Sequence, residues 1–166
     1  RAVGLVTENL VHTIQDPMEM EARSVMAQAS LEAGLAFTNA ILGAAHAMSH
    51  QVGGMLDLPH GVINGILLPH VIRFNSTTDA APFVAIAAAL SLPEQRGTPE
   101  EAALAVADRV ERLAREVGVP KGLGELGVRE EDLSRLASFA LLDACMSTNP
   151  REATQEQMVA LFRGAL

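Results

Sequence analysis

Apolar residues recur at helical spacing along most of this sequence. In the first segment they stand at Val3, Val6, Leu10, Val11 and Ile14, which places them on one face of a helix over residues 2–14. Alternation of apolar and polar residues, the pattern of a half-buried strand, nowhere lasts longer than a few residues. The pattern therefore predicts an all-α fold, a multi-helix bundle of about seven helices.

Glycine, proline and capping residues indicate where these helices end. Gly34 is expected to end or bend one helix, and Gly53 and Gly54 to stop the next. Pro69 is expected to bend or interrupt another. Thr98 and Glu101 have the spacing of a capping box, so a helix should begin there. Ahead of that box, the apolar spacing predicts helices over 17–34, 37–52 and 60–74.

The composition fits one domain and excludes some partners. The chain has 166 residues, of which 49% are apolar, enough for a single all-helical domain over residues 1–166. Its net charge is -8, and an acidic chain without a basic run repels phosphate backbones. We therefore expect no nucleic-acid partner, and a small-molecule substrate or another protein instead.

The single cysteine and the lengths of the apolar runs indicate the cellular environment. Cys145 has no second cysteine to pair with, which fits a reducing, cytoplasmic environment. No apolar run reaches the length of a membrane span, so no membrane partner is expected. The sequence begins with Arg1 rather than with Met, and apolar residues already recur at helical spacing in its first residues. We expect it to be the interior of a longer protein.

Three of the five histidines lie in one short stretch, "HAMSHQVGGMLDLPH". His46 and His50 are four residues apart on a predicted helix, so both imidazoles leave the same face. His60 opens the next helix and could return beside His46. Such a cluster suits iron(II) or zinc, with Asp57 as the nearest carboxylate. Two interpretations stay open at this point, a metal site and a set of packed core histidines.

Two longer stretches resemble the iron-containing alcohol dehydrogenase family. They are "GLAFTNAILGAAHAMSHQVGGMLDLPHGVINGILLPHVIRFN", which carries the H-x3-H-x9-H spacing, and "DACMSTNPREAT" near the C-terminus. The remaining helices agree in order and length, so the resemblance covers the whole chain. It implies the C-terminal helical half of a two-domain dehydrogenase, in which an N-terminal domain binds NAD or NADP. That nucleotide-binding domain is absent from this sequence, and we expect the chain alone to be inactive.

The resemblance also implies roles for individual residues. His46 and His60 match two of the histidines that hold Fe(II), or in some members zinc. His50 matches a histidine near the nicotinamide that helps to transfer a proton. Phe37 and Cys145 match positions in the substrate and cofactor pocket. The reaction would interconvert a small alcohol and an aldehyde or ketone by hydride transfer, in a homo-oligomer, and the cofactor-binding residues would lie upstream.

The sequence departs from the family pattern in its metal ligands. The remaining ligands, an Asp and a His, belong to an Asp-x3-His motif that this sequence lacks. Four residues before His12, where the motif has Asp, this sequence has Glu8. His12 is therefore interpreted as a surface residue, and His70 as a packed or rim residue. Asp57 matches no family ligand. Two alternatives remain, a metal-free helical interaction module and a fragment of a maleylacetate reductase-like relative.

Overall fold

The computed structural model describes residues 1–92 and 97–166, and within them it contains eight α-helices, three short 3-10 helices and no strand. The all-α prediction is therefore confirmed, with one helix more than about seven. The α-helices are α1 (Ala2–Gln15), α2 (Met20–Ala40), α3 (Ala44–Leu56), α4 (His60–Asn75), α5 (Ala81–Ala89), α6 (Pro99–Glu116), α7 (Leu133–Leu142) and α8 (Gln155–Gly164). The 3-10 helices cover Leu123–Leu126, Glu130–Asp132 and Ala144–Thr148.

Side-chain caps explain where several helices begin. At α6 the Thr98 hydroxyl accepts from the Glu101 N–H at 3.3 Å, and the Glu101 carboxylate accepts from the Thr98 N–H at 2.9 Å. The predicted capping box is therefore present. Thr154 and Gln157 form a second one at α8. Helix α2 begins later than expected, because the Glu19 carboxylate caps the N–H groups of its first turn.

Glycine residues end neither of the two helices where we expected them to. Helix α2 continues past Gly34 and breaks only at Ile41, which has a positive φ of 60°. Helix α3 runs through Gly53 and Gly54 and ends at Asp57, in the left-handed conformation with φ 52°. Packing outweighs the low helix propensity of glycine here, since a Cβ on Gly53 would already lie 3.6 Å from Ile63 of α4.

Two apolar clusters hold helices α3 to α8 together. The larger one lies among α3, α4, α7 and α8, and its fully buried members include Met48, Leu67 and Phe162. The smaller one joins α4 to α5 and α6 around Val106. Each fully buried side chain of this size stabilises the fold by about 1.5–3 kcal/mol. Helix α4, which continues through Pro69, belongs to both clusters and is the central element.

No helix in residues 1–92 and 97–166 combines the length and apolar character needed to cross a lipid bilayer.

Candidate metal and proton-transfer site

Helices α3 and α4 bring three imidazole rings together. The centroids of His46 and His60 lie 5.2 Å apart, those of His50 and His60 5.4 Å, and those of His46 and His50 6.2 Å. His46 and His50 are one turn apart on α3, and His60 is the first residue of α4. The arrangement expected from spacing, with His60 beside His46, is therefore present.

A buried hydroxyl group orients one of these rings. Ser49 is fully buried, and its hydroxyl donates to the His46 carbonyl oxygen at 3.1 Å. The same oxygen lies 3.3 Å from Nδ1 of His60. Because the hydroxyl proton is already used, the oxygen accepts from Nδ1–H, and Nε2 of His60 keeps its lone pair. This is the tautomer that a metal ligand needs.

His46 is favoured in its neutral form. The ring is half-buried. Burial lowers its pKa, and the neighbouring His60 and His50 lower it further, against a smaller opposing effect of Asp143. A neutral imidazole has the free lone pair that binds a metal, so the cluster chemistry fits a divalent ion such as iron(II) or zinc.

A carboxylate from the other end of the chain holds His50. Asp143 Oδ2 lies 2.9 Å from Nδ1 of His50, although the two residues are 93 positions apart. The amide of Gln51 donates to the same oxygen at 3.3 Å, and the N–H of Cys145 donates to Oδ1 at 2.9 Å. Burial opposes ionisation of Asp143, but the hydrogen bonds from Cys145 and His50 outweigh it and lower its pKa. The carboxylate is therefore held charged beside the ring.

His50, Asp143 and Cys145 also form a second group of potential ligand atoms. One ligand atom from each of the three lies within 4.8 Å of the others. Two features make this group the poorer metal site. Burial, with the nearby Asp143, raises the pKa of the Cys145 thiol, whereas a thiolate is needed to bind metal. In addition, both oxygens of Asp143 already accept hydrogen bonds.

A second contact from the same segment fixes the start of α3. Gly43 precedes that helix and has no side chain to cap it. Instead, Oδ1 of Asn149 accepts from the N–H of Ala44 at 3.0 Å. The Asn149 amide also pairs with Asn75 at the end of α4, through bonds of 3.1 and 2.9 Å. Asn149 thus joins the two helices that carry the histidines.

The remaining residues singled out in the sequence lie in different environments. Phe37 is in the last turn of α2 with 50% of its area exposed. Cys145 is buried in the 3-10 helix that follows Asp143. Asp57 is exposed and ends α3.

The two histidines outside the cluster lie in different surroundings. His12 is exposed, with Glu19 at 3.8 Å. His70 is half-buried against α8, where Gly164 comes close to its ring. The positions of His12 and His70 fit a surface and a packed residue.

Sequence reasoning did not single out Asp143, Ser49 or Asn149. Ser49 lies three residues after His46, so helical spacing alone could have placed it near the cluster. Asp143 and Asn149 had no such signal. Asp143 reaches His50, and Asn149 reaches the start of α3, only through the packing of α7 and the Ala144–Thr148 3-10 helix against α3.

Comparison with known proteins gives one result over the full length of the chain. Residues 1–166 match the model described as Fe-containing alcohol dehydrogenase family, C-terminal. The 1,3-propanediol dehydrogenase of Klebsiella pneumoniae is 39% identical over 165 residues, which are 99% of this chain and 43% of that protein. The NAD-dependent methanol dehydrogenase of Bacillus methanolicus is 37% identical over 166 residues, 100% of this chain and 44% of that protein.

The fold agrees with the sequence comparison. The crystal structure of a 1,3-propanediol oxidoreductase matches with a TM-score of 0.97 at 39% identity, and the match covers 99% of this chain and 43% of that one. The chain therefore spans less than half the length of these relatives.

Proposed function

Because this chain belongs to the iron-containing alcohol dehydrogenase family, we propose that residues 1–166 are the metal-binding domain of an NAD(P)-dependent alcohol dehydrogenase. The enzyme interconverts a small alcohol with its aldehyde or ketone. The observation that carries the proposal is the cluster of His46, His50 and His60, with ring centroids 5.2–6.2 Å apart. A nucleotide-binding domain would precede Arg1, since the relatives are more than twice as long.

His46 and His60 would hold the metal. His46 is favoured as neutral by burial, and Ser49 sets the tautomer of His60, so both offer a nitrogen lone pair. We propose Fe(II), after the family, and zinc as the second choice, because imidazole suits both ions. A bound ion of this kind polarises an alcohol oxygen and makes its proton more acidic. The two further ligands, an Asp and a His, would come from upstream residues.

His50 would act on the proton rather than on the metal. Its Nδ1 is engaged with Asp143 at 2.9 Å, and its side chain is 42% exposed. Nε2, on the other edge of the ring, would take the hydroxyl proton of the alcohol while a hydride passes to oxidised nicotinamide. Phe37 and Cys145 remain candidates for lining the substrate and cofactor pocket.

The test uses the full-length protein that contains these residues. We expect it to bind about one Fe(II) or Zn(II) per chain, and to oxidise methanol, ethanol or 1,3-propanediol with NAD⁺ or NADP⁺, followed by the absorbance of the reduced nicotinamide. His46→Ala and His60→Ala should each lose most of the bound metal, measured by elemental analysis. His12→Ala, an exposed histidine substituted in the same way, should keep it.

Three outcomes would contradict the proposal. Full metal content in both His46→Ala and His60→Ala would remove these residues as ligands. A full-length protein that binds no metal and turns over no alcohol would favour the helical interaction module. Turnover of maleylacetate, with no turnover of alcohols, would place the enzyme with the reductase relatives.

A further inference from the structure

The exposed ring of His50 is hydrogen-bonded to a carboxylate that is less exposed. The side chain of Asp143 is 16% exposed, against 42% for His50. Asp143 directly follows α7 and begins the Ala144–Thr148 3-10 helix, whose Cys145 N–H it caps at 2.9 Å. These contacts fix the carboxylate beside Nδ1, at the edge of the ring. The ring is stacked on its other neighbour, His60, at an interplanar angle of 17°.

The hydrogen bonds around Asp143 decide which nitrogen of His50 carries the proton. Oδ1 accepts from a backbone N–H, and Oδ2 accepts from the Gln51 amide. Both oxygens therefore act as acceptors, and an ionised carboxylate has no proton to give. The nitrogen at 2.9 Å from Oδ2 must then be Nδ1–H. Nε2 is left with its lone pair, as a proton acceptor requires.

We propose that Asp143 is a positioning residue of the dehydrogenase reaction, which holds His50 in the Nδ1–H tautomer and aims its Nε2 at the reacting alcohol. The inference rests on the proposed function. The alcohol gives a hydride to oxidised nicotinamide and one proton to Nε2 of His50, and the Nδ1 proton stays between His50 and Asp143. Asp143 touches neither substrate nor cofactor and acts only through His50.

Asparagine at position 143 would reverse this arrangement. Asparagine has one oxygen and one NH₂ group in place of two oxygens. If its oxygen keeps the bond to the Cys145 N–H, its NH₂ group faces Nδ1 of His50. The ring must then accept at Nδ1 and carry its proton on Nε2, where it blocks proton uptake. The backbone cap is preserved, and only the longer bond from the Gln51 amide is lost, so the main change is in the tautomer of His50.

The experiment compares single and double variants of the full-length, metal-loaded enzyme in alcohol oxidation. We expect Asp143→Asn to lower kcat by about 10²-fold or more, the size of a general-base contribution. KM for the alcohol and the metal content should stay within about threefold. His50→Gln should lower kcat by a similar factor. The double variant should be no slower than His50→Gln alone, because a residue that acts through His50 has nothing left to act on.

Asp57→Asn is the matched control. It makes the same chemical change at an exposed carboxylate at the end of α3, and its kcat should equal that of the wild type. Losses that multiply in the double variant would mean that Asp143 acts independently of His50. Loss of metal in Asp143→Asn would make it a ligand, and an unchanged kcat would leave it no role. Each of these results overturns the inference. Absence of alcohol oxidation in the wild type would instead overturn the proposed function itself.

Discussion

Asn149→Ala should be one of the more destabilising single substitutions in this chain. Its side chain takes part in four hydrogen bonds of 2.7–3.1 Å, with Ala44, Asn75 and Arg151. A hydrogen bond contributes about 1 kcal/mol net, which sets an upper value of about 4 kcal/mol. Asn149 and Asn75 are half-buried, so water replaces part of what is lost. The N–H of the fully buried Ala44 has no such replacement. We therefore expect a loss of about 2–3 kcal/mol.

The loss is measured by urea unfolding, and in a chain of this size it lowers Tm by roughly 4–12 °C. The matched control is Asn39→Ala, at an exposed position of α2 where the side chain bonds only to the carbonyl of the preceding turn. It should change the free energy of unfolding by less than about 0.5 kcal/mol. An Asn149→Ala loss as small as that of the control would refute the reasoning, because it would mean that α3 begins equally well without this cap.

Four further substitutions test other parts of the structure. Ser49→Ala removes the hydroxyl that orients a ligand histidine, and should weaken zinc binding by about 10–100-fold in a metal titration of the full-length protein. Gly43→Ala places a Cβ 2.9 Å from Oδ1 of Asn149 and should destabilise by about 1–3 kcal/mol. Gly54→Ala, within α3, meets nothing within 4 Å and should stabilise by about 0.5–1 kcal/mol. Both changes are measured by urea unfolding. Burial lowers the pKa of His70 below 6.5. The unfolded chain then binds the extra proton, so stability falls as the pH drops below about 6.5. His70→Gln should flatten that part of the pH dependence of Tm.

Local sequence signals predicted the helix ends that depend on local contacts. The capping box expected at Thr98 satisfies N–H groups of its own helix, as does the one found at Thr154, because residues three positions apart make up the whole motif. The glycines behaved differently. An interior glycine costs a helix only about 1 kcal/mol relative to alanine, so Gly34 and Gly53 end a helix only where the rest of the structure does not favour its continuing. Ile63 packs on Gly53 from α4, and that contact is not visible in the local pattern.

The candidate site also combines contacts that local spacing predicts with contacts that depend on packing between distant residues. His46, His50 and Ser49 are related by the spacing of one helix, and His60 follows after a short link, so their proximity could be predicted from the sequence. Asp143 could not, because it reaches His50 across 93 residues. Its position depends on the packing of α7 against α3, which buries Leu136 and Ala137. A resemblance to a family supplies roles for residues in its motif, but not the hydrogen bonds around them.

The segment from Asp143 to Arg151 braces the two histidine helices at several points. Asp143 holds His50 in the middle of α3, and Asn149 caps the start of that helix. Thr148 donates to the carbonyl of Leu42 just before α3. Arg151 donates to the Phe74 carbonyl at 2.9 Å and lies 3.9 Å above its ring, near the end of α4. The rotation of α3 and its distance from α4 therefore depend on this segment. Substitutions there should change the spacing of the imidazole rings although most of these residues touch none of them.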